Sequence, residues 1–290
     1  MSITRLFCLS LMGTFLCPDP LRAVTYEVLQ EFRVPGAQPL SALVQAGDGD
    51  FYGTTVAGGE SGHGTVFRLT AAGVQTLVVS FTGNAGAAPG GAPVAGLTPG
   101  PDGALYGTTT EGGTHGFGTI FRIGSAGAFT TLVDFTGSSG LARGSVPSQL
   151  ASHPDGNLYG TTQGGGTGGF GTVFKVTTAG VLTTLVDFTG TAGAAAGSAP
   201  CGPLAVQDSI LFGVAGSGGA GDFGTIFKIT TSGVFTLMAD FTGTSGTKPG
   251  AAPGGGLHLH NDGNLYGTTR NGGISDQGTF FKITTAAVPV

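Results

Sequence analysis

Charge is what this chain has least of. Only 9% of its 290 residues are Asp, Glu, Lys or Arg, and the net charge is −5. With no basic cluster, such a surface cannot neutralise a run of phosphates, which sets nucleic-acid binding aside. The apolar run from Leu6 to Cys17 is too short to cross a bilayer, which takes about 20 residues. Catalytic signatures are missing as well. There is no Ser-His-Asp elbow, no Cys-His pair and no phosphate-cradling loop, so no catalytic residue, metal or cofactor is assigned and a non-enzyme is expected. Cysteine is scarce, at three residues. Arg5 precedes the apolar run, and Pro18, Pro20 and the small Ala23 follow it, the pattern of a secretory signal peptide over residues 1–23. A buried first strand or helix is the alternative. The residues before Cys17, Thr14-Phe15-Leu16, lack the small residue expected beside a lipidated cysteine. Cleavage would remove Cys8 and Cys17, leaving Cys201 alone and no intramolecular disulfide. The mature chain, 24–290, is then expected to be secreted (extracellular, periplasmic or at the cell surface), without a transmembrane segment, monomeric and held together by packing.

What the chain has in excess is glycine. Its 58 glycines and 15 prolines make about a quarter of it, close to a disordered composition. Regular returns of Val, Ile, Leu, Phe and Tyr argue for an ordered fold instead. The stretch Gly53 to Leu69 follows an aromatic, Tyr52, and recurs after Tyr106, Tyr159, Phe212 and Tyr266, at intervals of 54, 53, 53 and 54 residues. In each copy the leading aromatic and a trailing Phe stand 15 positions apart. A fixed period of this length marks a repeat architecture.

Within a unit, Pro93 to Thr98 reads as a weak first strand and Pro101-Asp102-Gly103 as a turn. Leu105 to Thr109, Thr119 to Ile123 and Phe129 to Thr136 read as three clear strands, with Ser125-Ala126-Gly127 as a turn. A 12-residue crossing, Phe135 to Pro147, leads onward. Three short antiparallel connections and one long crossing describe a propeller blade. The ends complement each other: Tyr26 to Phe32 matches a fourth strand, and the chain finishes soon after a third strand, Phe280 to Thr285. The expected fold is therefore all-β: a five-bladed β-propeller, four strands per blade, with the N-terminal strand 25–32 completing the last blade (253–285) and closing the ring. A β-solenoid is the competing architecture.

The motif D-G-x-L-Y-G-T-T-x-x-G-G-x-x-x-x-G-T-[VI]-F-[KR]-[IV], followed by L-x-x-F-T-G, resembles the GloVer tandem repeats of exported bacterial proteins over roughly residues 25 to 285. The resemblance implies secretion and a surface role. Many relatives carry a C-terminal anchoring tail, and Ala286 to Val290 offers no hydrophobic segment for one.

Repetition separates scaffold from candidate site. Arg68, Arg122, Lys175, Lys228 and Lys282 share one slot, Asp48, Asp102, Asp155, Asp208 and Asp262 a second, and Glu31, Asp134, Asp187 and Asp240 a third, all read as architectural. The Gly-rich loop between the second and third strands shares a face with the crossings. It holds the candidate ligand-binding residues Glu60, His63, Glu111, His115, Phe117, Phe170, Asp222, Phe223, Asp276 and Gln277. Aromatics with one or two polar groups per blade suit a pyranose, so a saccharide or a cell-surface protein is the expected partner. Pinning of the loop is the competing role for Phe117, Phe170 and Phe223. His258 and His260 alternate on a strand and should face one way, as channel lining rather than as a metal site. Gly218 to Asp222 resembles part of a calcium nonapeptide but does not recur at nine residues. A glycan-cleaving enzyme with paired carboxylates in the channel and a purely structural module remain the alternative functions.

Overall fold

The computed structural model describes residues 27–28, 31, 36–124 and 127–285. The expected leader, most of the expected N-terminal strand, the turn pair Ser125-Ala126 and the tail after Thr285 lie outside the described residues. Every regular element described is a strand. The first, second and fourth repeat units each form a four-stranded antiparallel sheet, in the second with the order Thr98–Pro99, Leu105–Thr109, Thr119–Ile123, Phe129–Asp134; the third has five strands, because Ser145–Pro147 and Ala151–Ser152 both pair with Asn157–Gly164. In the fifth unit Asn264–Asn271 pairs with Ala251–Pro253 and His258–Leu259 on one side and with Thr279–Thr284 on the other. Gly36–Ala37 pairs with Ala57–Gly58 at the start of the chain. This is a propeller-like stack of meandering sheets.

The motif Tyr-Gly-Thr-Thr has a packing cause at each letter. The glycine lies beneath a Phe of the neighbouring strand: a Cβ on Gly107 would stand 2.3 Å from the Phe121 ring and 2.8 Å from Leu97. Only glycine admits that approach. The second threonine pairs hydroxyls with the threonine that opens the next strand, as Thr109 does with Thr119 at 2.9 Å and Thr162 with Thr172 at 2.9 Å. The first reaches across to the following unit, where Thr108 Oγ1 donates to the Ser148 carbonyl at 3.1 Å. The tyrosine is tied to its own turn: Tyr106 Oη donates to Asp102 at 2.9 Å and Tyr159 to Asp155 at 2.6 Å. Burial alone would raise the Asp155 carboxyl, but hydrogen bonds from Tyr159 and Asn157 outweigh it and hold the group at about 2. The fourth unit departs from this pattern. Asp208 precedes Ser209 rather than glycine and itself takes φ 50°, and Phe212 has no hydroxyl to offer.

Because strand side chains alternate, each sheet presents a forward and a rear apolar face. Tyr106, Ile120, Val133 and Phe135 of the second unit pack on Leu150, Leu158, Phe174 and Val176 of the third. Equivalent clusters join the first unit to the second, the third to the fourth and the fourth to the fifth. An edge-to-face Phe pair sits at the first, third and fourth junctions: Phe81–Phe121, Phe188–Phe227 and Phe241–Phe281, with centroids 5.2, 5.2 and 5.3 Å apart. Phe135–Phe174, at 5.5 Å, is the tilted equivalent at the second. The expected closed ring is not made by the described residues. The forward face of the fifth unit carries Phe280, 74% exposed, whereas its counterparts Val66, Ile120 and Val173 are fully buried. On the first unit, Leu43 is 48% exposed where Leu97, Leu150, Leu204 and Leu257 are buried.

Candidate functional site

The loop between the second and third strands is held at three points. The acid that ends the fourth strand receives a loop amide: Thr114 N–H donates to Asp134 at 2.7 Å and Thr167 N–H to Asp187 at 2.9 Å, while Ser80 takes the Glu60 N–H at 2.8 Å in the first unit. The aromatic late in the loop lies on the glycine that opens the crossing, so that a Cβ on Gly137, Gly190 or Gly243 would stand within 2.9 Å of Phe117, Phe170 or Phe223. The carbonyl of the same residue accepts a crossing amide, from Val146 to Phe117 at 3.1 Å and from Ala199 to Phe170 at 3.0 Å. The donors belong to a series, Gln38, Ala92, Val146, Ala199 and Ala252, each before a proline and each at positive φ between 48° and 60°. For a β-branched residue such as Val146 that conformation is strained, and the packed crossing enforces it.

All ten expected site residues are exposed on this loop face. Phe117, Phe170 and Phe223 keep 40%, 39% and 40% of their surface accessible. His63 covers Gly83 as the phenylalanines cover their glycines. His115 Nδ1 lies 3.8 Å from Asp134. Asp222 and Asp276 take φ 59° and 55° where the other units have glycine, and their carboxylates accept the Gly218 and Gly272 amides at 2.7 Å. Glu111 pairs with Gly91 through its backbone, and Gln277 Nε2 reaches the Ser275 carbonyl at 3.4 Å. The ten residues are spread one to three per unit, and none lines the cavities described next.

The five units meet at a central cavity of about 610 Å³, with Ser41, Ala95, Gln149, Pro203 and Gly254 among its walls, one from each unit. A second cavity of about 380 Å³ adjoins it, sharing Gln163, Gly202 and Gly254 and adding Cys201, Ser217 and Arg270. Here the repeat stops repeating. After the Thr-Thr motif the units carry Val56, Thr110, Gln163, Gly216 and Arg270, and after the crossing proline they carry Leu40, Val94, Ser148, Cys201 and Gly254. Burial pushes the Cys201 thiol up, against the lowering influence of Arg270, and the thiol donates to the Pro253 carbonyl at 3.2 Å. Among the described residues no carboxylate and no imidazole lines either cavity. The two variable slots escaped sequence reasoning, although aligning the five units and setting aside the constant columns exposes them.

His258 and His260 do line one space, as their alternation predicts, but it is not the central channel. It is a groove of about 700 Å³ on the forward face of the fifth unit, with Tyr266, Thr268 and Phe280. The short strand His258–Leu259 pairs outward with Leu265 and Tyr266, which turns the imidazoles away from the channel. Among the described residues no His, Cys, Asp or Glu cluster is arranged to hold a metal ion, and no helix is long and apolar enough to cross a membrane.

Solved structures share this fold at low sequence identity. An ulvan lyase from a new polysaccharide lyase family, bound to -[GlcA(1-4)Rha3S]-, is 10% identical at a TM-score of 0.53. The alignment covers 87% of this chain and 71% of that one. A putative 6-phosphogluconolactonase from Bacteroides uniformis is 14% identical at a TM-score of 0.50, covering 84% of this chain and 70% of that one. No curated protein matches the sequence. The Gloeobacter/Verrucomicrobia repeat model matches residues 13–149 and 141–289, so the chain belongs to that repeat family.

Proposed function

We propose that this chain is an exported, non-catalytic propeller of five blades that binds a saccharide in its central channel. In this reading, residues 25–32 supply the outer strand of the last blade, along the edge of Thr279–Thr284 that no described strand pairs. The observation that carries the functional part is the cavity itself. The glycine that opens Gly-Thr-Thr, the hairpin Asp and the trailing Phe keep one residue through all five units, whereas the channel wall varies from unit to unit. A position that varies inside a conserved frame is free to be shaped to a ligand.

The wall alternates small apolar surface, such as Ala95, Leu97 and Pro203, with the hydrogen-bonding Ser41, Gln149 and Gln163. Apolar patches for a sugar ring face and fixed polar groups for its hydroxyls are what a pyranose needs. Among the described residues the lining supplies no carboxylate that could act as general acid or nucleophile, which favours binding over glycoside hydrolysis. Two proteins of similar fold are named for polysaccharide and sugar-lactone chemistry, in keeping with a carbohydrate ligand. The second reading places shallow repeated sites on the exposed loop aromatics Phe117, Phe170 and Phe223.

A glycan screen of the chain from residue 24 separates the two. Gly254→Leu places at the channel rim the residue that the first unit carries there, Leu40. The channel reading expects saccharide binding that this variant abolishes and that Phe117→Ala/Phe170→Ala/Phe223→Ala retains. Binding lost only in the aromatic variant, with its melting curve intact, would move the site to the loops. No bound saccharide at all would leave a protein-binding or structural role.

A further inference from the structure

The channel carries one asymmetry of charge. Arg68, Arg122 and Arg143 each hold a carboxylate: Asp50, Asp102 and Asp187. Among the described residues Arg270 holds none, and it is the sole charged side chain lining either the central cavity or its neighbour. A solitary guanidinium in a chain of net charge −5 has no architectural partner to account for it.

A second observation fixes where it points. A Cβ on Gly254 would stand 2.8 Å from Arg270 Nε and 3.2 Å from its Cζ, so the guanidinium packs directly against that glycine. Position 254 lines both cavities, and its equivalents are the larger Leu40, Val94, Ser148 and Cys201. The fifth unit thus differs from the other four twice, at two positions 16 residues apart that touch in space. One change introduces the cation and the other clears its path to the channel rim. The charge is felt across the cavity by the Cys201 thiol of the preceding unit. Gln163 completes the mouth from the third unit, adding an amide to the five N–H donors of the guanidinium.

A planar guanidinium beside an amide, in a concave and otherwise uncharged site, is suited to a planar carboxylate, which it can grip by two parallel hydrogen bonds. We infer that Arg270, admitted by Gly254, recognises the carboxylate of an acidic saccharide, a hexuronate unit, whose ring occupies the channel. This deepens the saccharide reading above and rests on it.

The test compares paired ligands on the intact chain by calorimetry: glucuronate and galacturonate trimers, the same trimers reduced to neutral alcohols at carbon 6, and the reduced trimers carrying an anionic sulfate ester there. Wild type is expected to bind at least one acidic trimer about tenfold or more tighter than its reduced counterpart, as a charge-assisted bond implies. The margin should shrink with added salt. Arg270→Gln removes the charge and should abolish the margin while leaving binding of the reduced trimer. Gly254→Val keeps the charge and displaces it from the rim, and should abolish the margin too. The Arg270 Nε–H resonance should shift on titration with the acidic trimer and stay in place with the reduced one. Equal affinity for acidic and reduced trimers, or a margin that survives Arg270→Gln, overturns the inference and leaves the saccharide reading standing. A margin confined to the sulfate esters replaces the carboxylate by a tetrahedral anion and overturns the hexuronate assignment. Absence of binding to every trimer, neutral ones included, overturns both.

Discussion

Asp187 ends the fourth strand of the third unit, and its replacement tests how the Gly-rich loop is held. One carboxylate oxygen accepts the Thr167 amide at 2.9 Å and the other accepts Arg143 Nη2 at 3.1 Å. Both side chains remain partly exposed, at 34% for Arg143 and 26% for Asp187, so the ion pair is worth about 0.5–1 kcal/mol. The amide bond to a charged acceptor adds about 1–1.5 kcal/mol. Asp187→Ala should therefore cost about 2 kcal/mol in urea unfolding and speed hydrogen exchange at the Thr167 amide. The repeat supplies its own control, because the first unit does the same job with Ser80, whose hydroxyl accepts the Glu60 amide at 2.8 Å. Asp187→Ser should recover the amide bond and lose only the ion pair, costing about 1 kcal/mol or less. If both variants unfold at the same urea concentration, the acid acts through its charge and not as the acceptor that shapes the loop. If Asp187→Ala costs nothing measurable, the loop is held by the Phe170 ring on Gly190 and the Ala199 amide on the Phe170 carbonyl.

Four further outcomes follow from the same geometry. Asp155 is held at about 2, below its usual 3.8, so its contribution is fully present above about pH 4 and is lost as pH falls towards 2. Solvent screening limits it to about 1 kcal/mol, and Tyr159→Phe should flatten the stability profile between pH 4 and 2 without changing its slope above pH 5. Phe174→Ala should cost about 3–5 kcal/mol, since the ring is fully buried between Phe135 and Gly160. Phe280→Ala should change stability by less than about 0.5 kcal/mol, and a large loss there would mean that the fifth unit docks on the first in solution. Deleting residues 24–32 should abolish exchange protection of the outward amides of Thr279–Thr284; unchanged protection would show that another segment, or none, covers that edge.

The parts of this fold that were legible in the sequence are those in which one packing problem is solved five times. Gly107 recurs at 53, 160, 213 and 267 because a Phe ring must lie on the backbone, and the period therefore reports the sheets directly. Asp134 and Asp187 read correctly as architecture because a repeated acid implies a repeated partner, here a loop amide. The features that were not legible leave no compositional mark. The left-handed residues before Pro93, Pro147, Pro200 and Pro253 are ordinary Ala and Val, forced by the crossing. A register shift between the third and fourth strands recurs in the first four units without any glycine to announce it. The channel mouth was hidden for the opposite reason. Gln163, Gly254 and Arg270 form no motif, and they become neighbours only when sequence positions about 90 residues apart are brought round to one rim. The histidines show the limit of periodicity: alternation predicted that His258 and His260 share a face, but not which face.

The most direct test of the central claim is a crystal structure of the chain soaked with the tightest-binding oligosaccharide from the screen. The account predicts sugar density inside the channel, in contact with Gln163 and within hydrogen-bonding distance of Arg270. Density confined to Phe117, Phe170 and Phe223 on the outer loops, with the channel holding only solvent, would contradict it.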